Sequence, residues 1–344
     1  LHPISALFRG GILREPPPAW RENREAAGFL VASLFVCLAA MRDVYLAGVF
    51  QQISPLHVAV VAFGLCSLIF LPVTLLRGPQ RLRRVVRHPL EVFWINVTSA
   101  VAWLAYLYAL RLAEPALVQV LWAGIGPLAV TRLERIGALR TRSVRLSRGE
   151  EHLHLGIFAS LVLTTLVILT GLSGSGTQRA VLAPLGVGLA LISGVSITIN
   201  TMLCKRLNEV GVSPDALVSI RFVGVVLAAL MLGLLTGDTG FVSWSVTTGS
   251  SMAVAALLLI VLPVYVNQIG ISLASPITVR GVLALGPVLV FLLQLWEGRL
   301  MSSPYSLTSI VLYSTFALSA AFVRQRATLA AAPAGLEESA RIRG

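Results

Sequence analysis

The sequence predicts an all-α integral membrane protein, with about ten transmembrane helices and both termini on the cytoplasmic side. Three observations carry this reading: a charge-poor composition, apolar blocks of bilayer length, and an uneven distribution of arginine. The 344 residues are 56% hydrophobic and 12% charged, with a mean hydropathy of +0.84. A soluble domain carries roughly 25% charged residues, because its surface must be solvated. The apolar residues come in runs of about 20, the length of helix that spans a ~30 Å hydrocarbon core. Inside that core the backbone must bond to itself, which leaves helices or closed barrels. Barrel strands are about ten residues of alternating polarity, and these runs are longer and continuous.

Ten apolar blocks follow one another at 28–50, 54–76, 91–112, 115–134, 153–172, 182–205, 214–236, 251–273, 276–296 and 305–323. Ser54-Pro55, Glu114-Pro115 and Ser275-Pro276 stand at the start of blocks. Proline fits the first turn of a helix and disrupts its interior. These positions therefore mark span starts after short connections, so the joined spans form antiparallel hairpins.

Arginine decides the orientation, since cytoplasmic loops are enriched in Lys and Arg. With the N-terminus inside, the inner segments hold 21 of the 27 Lys+Arg, and the outer loops hold Arg111, Arg179 and Arg299. Arg42, Arg221 and Arg280 fall within spans. Residues 1–26 lack the apolar core of a cleaved signal and read as a cytoplasmic tail, as do 326–344.

The formal charge of +12 suits a phosphate-binding protein. Its placement in loops between apolar blocks marks topology instead, and no nucleic-acid partner is expected. Cys37, Cys66 and Cys204 are scattered through apolar blocks and form neither a disulfide framework nor a metal site. Lys205 is the one lysine beside 26 arginines. That bias points to a GC-rich bacterial genome, hence to a bacterial cytoplasmic membrane.

An internal repeat is legible. Pro55 precedes Gly78 by 23 residues, as Pro214 precedes Gly237, and Phe63 and Phe222 share one register. Leu112-Ala113-Glu114-Pro115 is followed by Gly126-Pro127, and Leu273-Ala274-Ser275-Pro276 by Gly286-Pro287. The halves are then 27–173 and 174–325, five spans each. An odd number of spans inserts the second half upside-down, an architecture of secondary transporters with a site at mid-membrane.

Inverted five-span halves, each with an Ala-x-Pro…Gly-Pro hairpin, resemble the drug/metabolite transporter superfamily, EamA type, over about residues 28–325. The resemblance implies alternating access, a cavity lined by spans 1, 3, 4, 6, 8 and 9, and export of an amino acid or a related small solute. Two departures stand out: the arginine-rich loop 132–148 is long, and Glu134 and Glu297 arrive earlier than the Gly-Glu that ends spans 4 and 9 in the family.

No phosphate-binding loop or His-Glu-x-x-His is present and no acidic pair sits where it could hold magnesium, so no cofactor, metal or catalytic residue is expected, and the driving force is a gradient such as that of protons, an exchanged solute, or simple facilitation. His152 and His154, beside Glu150 and Glu151, read as a solvated inner segment. A charge at a helix centre costs roughly 2.5–3.5 kcal/mol. Asp43 is thus a candidate proton-coupling carboxylate and Arg42 a candidate anchor for a substrate anion, or the two neutralise each other. Arg221 reads as snorkelling to the interface; Arg280 is open between that and substrate contact. Asn96, Trp103, Tyr106, Gln119, Trp122, Asn200, Tyr265, Asn267 and Gln268 complete the candidate lining. Interhelical hydrogen bonding is the alternative for each amide. Trp94, Trp244 and Trp296 suit interfacial anchoring. Gly124, Gly126 and Gly286 suit close helix packing, and the Gly-Pro pairs suit hinges. A membrane-embedded enzyme and a receptor or scaffold are the rival functions.

Overall fold

The computed structural model describes residues 18–135, 148–174, 181–238, 240, 246–273, 276–298 and 303–341. Among them there is no strand, and the chain is built from helices. In order these are α1 (Pro18–Val49), α2 (Pro55–Leu76), α3 (Pro79–Val86), α4 (Pro89–Leu112), α5 (Pro115–Arg135), α6 (Arg148–Leu169) and α7 (Ala183–Glu209). They are followed by α8 (Pro214–Arg221), α9 (Val223–Thr236), α10 (Val246–Ala256), α11 (Leu262–Leu273), α12 (Pro276–Leu283), α13 (Gly286–Glu297) and α14 (Pro304–Arg341). Eight helical stretches are long and apolar enough to cross a membrane; Pro115–Val130 and Gly281–Glu297 are apolar but shorter. The protein is a multi-pass, all-α membrane protein. Its outward faces carry Leu68, Phe158, Leu227, Met231 and Leu235, all well exposed, a surface that lipid tolerates and water does not.

Prolines open many helices, as their lack of a backbone N–H dictates. Gly78 and Gly237, the repeat-matched glycines, both take positive φ, +130° and +70°. The first half runs in unbroken helices, α5 even through Pro127. The second half is interrupted three times. Phe222 separates α8 from α9, a π-turn at Leu257–Val261 joins α10 to α11, and Ala284-Leu285 separates α12 from α13. Two of the breaks lie beside a proline: Pro263 and Pro287 remove a helical N–H, and an inserted π-turn is one way a helix absorbs this. Backbone groups at the breaks meet side chains: Asn96 Oδ1 accepts from Gly224 N–H at 2.8 Å beside the Phe222 break, and Ser314 Oγ donates to Ala284 O at 3.0 Å. In lipid such recapture is obligatory. The two Gly-Pro sites therefore differ: Gly286-Pro287 directly follows a helix break, and Gly126-Pro127 lies inside the unbroken α5.

Helix packing follows a pairwise pattern. α4 lies along α7 and α1 along α11; α5 packs on α7, and α1 on α12 and α13. α2 packs on α8 and α9, α6 on α14, and α5 on α13. Small residues set the closest approaches. A Cβ at Gly194 would stand 2.3 Å from Ile125 and 2.5 Å from the Trp122 carbonyl, and one at Gly124 would meet Leu161 at 2.6 Å. Gly126 is tight against Thr198, at 3.0 Å. Gly286 departs from the expected role, because a Cβ there meets Gln119 at an ordinary 3.5 Å.

Loops meet at both ends of the bundle. At one end Arg81 Nη1 lies 3.0 Å from Asp215 Oδ2, Arg84 donates to Gly211 O, and Arg324 pairs with Glu150 at 3.2 Å. Glu150 is thus a buried, paired carboxylate on the first turn of α6 rather than a solvated one, while Glu151 and His152, on the same helix, are exposed and His154 is half-buried. At the other end His57 Nε2 lies 2.9 Å from Asp238 Oδ1, and Glu114 is enclosed. Trp94 and Trp296 are exposed near helix ends, as anchors should be; Trp244 lies outside the described residues.

Candidate functional site: a buried ion pair in an aromatic and amide shell

α1 carries two charges at consecutive positions in an apolar stretch, and both are fully enclosed: Arg42 is 2% and Asp43 0% exposed. Isolated, either would cost several kcal/mol, so their surroundings are decisive. Arg42 Nε donates to Asp43 Oδ1 at 2.7 Å. On the other oxygen, Tyr106 donates its hydroxyl to Asp43 Oδ2 at 2.6 Å, and Gln119 Nε2 donates to the same atom. Gln119 Nε2 also lies 3.0 Å from the Tyr106 hydroxyl. The guanidinium carbon sits 5.3 Å from the Trp103 ring centre and 5.4 Å from that of Tyr106, within the range where an aromatic face attracts a cation. Trp122 closes the shell, 5.6 Å from Tyr106.

Local periodicity explains the convergence. Trp103 and Tyr106 on α4, and Gln119 and Trp122 on α5, are spaced i, i+3 and project from one helix face. α7 seats closely on α5 where Gly194 meets the Trp122 carbonyl, and the Trp122 side chain is half-buried. Six expected residues, Arg42, Asp43, Trp103, Tyr106, Gln119 and Trp122, are thereby brought to one place. The ring contacts run on from Trp103 to Phe63 at 4.9 Å, and from Phe63 to Phe222 at 4.9 Å, stacked at 29°.

The other expected residues serve elsewhere. Asn200 does not line this cluster: its Nδ2 lies 2.8–3.0 Å from Ile95 O, Thr98 Oγ1 and Ser99 Oγ, bracing α7 on α4. Asn96 donates to Val92 O and accepts from Gly224, a backbone clamp. Tyr265 rests against Phe70, 4.8 Å between ring centres. Asn267 is half-buried on α11; neither it nor Tyr265 bonds to the Asp43 cluster among the described residues. Gln268 accepts from Arg221 Nη1 at 3.1 Å. Arg280 is on α12, and its side chain lies outside the described residues, as does that of Glu134.

Two groups escaped the sequence reading. Arg221 does not snorkel; it is 6% exposed, with its guanidinium 4.7 Å from the Phe222 ring centre. Packing of α2 and α11 around α8 covers it, which depth along one helix does not reveal. Glu114, in the turn before α5, is also buried. Its carboxylate accepts from Gly174 N–H at 2.8 Å, Ser306 Oγ at 2.8 Å and Gln294 Nε2 at 3.4 Å. Gln294 Oε1 in turn accepts from Ala116 N–H at 2.8 Å. Burial pushes the Glu114 carboxyl above its ordinary range, against the pull of those three donors. A lone acid beside a proline gave a faint hint of this, but the enclosing loops are distant in sequence.

A cleft of about 370 Å³ opens between α1, α2 and α10, lined among others by Tyr45, Leu46, Gln52, Val58 and Met252. Tyr45 and Leu46 are within three residues of Asp43.

No family model and no curated protein matches the chain in sequence. A solved crystal structure does match in shape, with a TM-score of 0.61 at 20% identity, over 88% of this chain and 99% of its own length. The fold is therefore shared with another protein of nearly the same extent.

Proposed function

We propose that the chain is a secondary transporter, most simply an exporter, of a small polar or amphipathic metabolite, working by alternating access of two inverted halves rather than by catalysis. The observation that carries this is the Asp43 cluster: three helices of one half spend several buried polar groups on one point in an apolar bundle. The flanking Phe63–Phe222 contact brings in the other half.

Two further features support inverted halves. Under an exchange of spans 1–5 for spans 6–10, the packing of α4 on α7 exchanges with that of α11 on α1, and α5 on α7 exchanges with α13 on α1. The pairs α2 with α8–α9, α6 with α14, and α5 with α13 map onto themselves. In a twofold arrangement, equivalent residues touch only beside the axis, and Phe63 and Phe222, equivalent in the repeat, stack on each other. In this reading all ten apolar segments cross the bilayer, both termini are cytoplasmic, and the membrane is a bacterial cytoplasmic one. These features are also those implied by the resemblance to EamA-type transporters. Asp43 is the proton-coupling group, and the cleft beside Tyr45 is an entrance.

Counterflow of a radiolabelled metabolite panel in proteoliposomes is the test. Accumulation of at least one solute, abolished by Tyr106→Phe together with Gln119→Leu, is expected. Failure of every solute in a monodisperse, thermally cooperative preparation would overturn the proposal.

A further inference from the structure

Two buried guanidinium groups lie at either end of the aromatic row Trp103, Phe63 and Phe222. They are not in the same condition. Arg42 has Asp43. Arg221 has no carboxylate among the described residues: its polar partner is the neutral Gln268, which accepts at 3.1 Å and is itself fully buried. The carboxylates that could serve are engaged, Asp43 by Arg42 and Asp215 by Arg81. Asp215 is moreover six residues back on α8, about 9 Å along the axis at 1.5 Å per residue.

An arginine cannot shed its proton to relieve this state, and a buried charge without a counter-charge is strongly unfavourable. Of the six buried side-chain polar atoms without a partner among the described residues, three belong to this row, to the arginine at its end or to Gln268 beside it. Arg221 Nε, Gln268 Nε2 and Trp103 Nε1 are buried without a partner, and all three are donors. Buried polar groups are normally satisfied, so a region holding spare donors, one spare positive charge and a flat apolar ring stack lacks an acceptor-rich anion. α8 packs against α2 and α4 as well as α11, so helices of both proposed halves border the position.

We infer that Arg221 and Gln268 form an anion subsite, and that the transported solute is a small amphipathic anion. Its carboxylate or phosphate group is held by Arg221 Nε and Gln268 Nε2, and its apolar part lies along Phe63 and Phe222. A planar guanidinium suits either anion, through two parallel hydrogen bonds. This substrate class rests on the transport reading above; the anion subsite itself does not.

The test separates the two. The purified protein in phosphatidylcholine nanodiscs is titrated with inorganic phosphate and with benzoate at constant ionic strength, and its Tm is followed. A saturable rise is expected with one of them, roughly 5 °C at about 100 times the dissociation constant. It should be lost in Arg221→Gln and partly kept in Arg221→Lys. Arg221→Gln should melt above the anion-free native protein, because the unpaired charge is gone. An unchanged Tm with both anions, or an equal rise in Arg221→Gln, overturns the subsite. A rise produced by phosphatidylglycerol discs alone places a lipid headgroup there and overturns the solute assignment. Counterflow then reads the substrate class. Exchange of anionic solutes, reduced at least tenfold by Arg221→Gln, supports it. Exchange of neutral or cationic solutes alone, untouched by that change, overturns it and leaves transport standing. An Arg221-dependent Tm shift without any counterflow keeps the subsite and removes transport.

Discussion

At the scale of single residues, the Asp43 cluster is governed by asymmetry between breaking a buried pair and replacing it. Asp43→Asn leaves the Arg42 charge without compensation and should cost about 3–5 kcal/mol, read as a lower Tm. Exchanging both partners, Arg42→Met with Asp43→Leu, should recover most of that loss while abolishing counterflow. A double variant no more stable than Asp43→Asn would show that the pair is not the unit of stability. Tyr106→Phe deletes one hydrogen bond to the carboxylate, worth roughly 1.5–3 kcal/mol for a charged acceptor. If protons drive transport, Asp43→Asn should also remove the pH dependence of uptake and spare exchange. The sequence made this site partly legible, because two charges in the middle of an apolar run demand a reason. It also pointed to the aromatic and amide neighbours through their i, i+3 spacing. Asn200 and Asn96 looked identical on those terms; only the opposing backbone, Ile95 O for one and Gly224 N–H for the other, tells a brace from a binding group. Arg221 differs from the snorkelling expectation because periodicity along one helix says nothing of what covers that face.

At the scale of elements, helix starts were read from prolines with little error, since the missing N–H acts locally. The breaks in α8–α9 and α12–α13 depend instead on partners that catch the freed backbone, such as Asn96 and Ser314. At Gly286-Pro287 the break is accompanied by such a partner, Ser314, whereas α5 runs unbroken through Gly126-Pro127. Helix contact is similarly specific. Gly194→Ala drives a methyl group into the Trp122 carbonyl, and overpacking of this kind costs typically 1–3 kcal/mol. It should lower both Tm and transport, whereas Gly286→Ala, with room to spare, should change Tm little. The turns make a pH-dependent prediction. The Glu114 carboxyl, raised by burial, contributes stability while it is protonated. That contribution is lost as pH rises through its folded-state value. Glu114→Gln, which keeps the shape without the charge, should therefore gain in Tm over the native protein as pH rises from about 4 to 8. Parallel Tm curves for the two proteins would mean that the carboxylate is fully compensated by Gly174, Ser306 and Gln294.

At the scale of the whole molecule, contacts between the proposed halves occur at both ends. Arg81 with Asp215 and Arg84 with Gly211 tie one end, and Glu114 with Gln294 and Ser306, and His57 with Asp238, tie the other. In the proposed cycle of alternating access one set opens at a time while the Phe63–Phe222 stack, beside the proposed twofold axis, barely moves. Spin labels at Arg83→Cys with Val210→Cys, and at Gln52→Cys with Leu235→Cys, should report opposite distance changes when a transported solute is added. Concerted lengthening at both ends, or no change at either, would contradict rocking. The adjacency of Arg42 and Asp43 has a consequence for biogenesis as well. Because the two charges cancel within one stretch of chain, α1 presents the translocon with a segment of no net internal charge before α4 and α5 have been synthesised. Arg221 has no such neighbour in its own helix: α2, which packs on α8, is made earlier, but the arginine's polar partner Gln268 lies on α11, which is made later, so this charge waits on a downstream helix for its hydrogen bond.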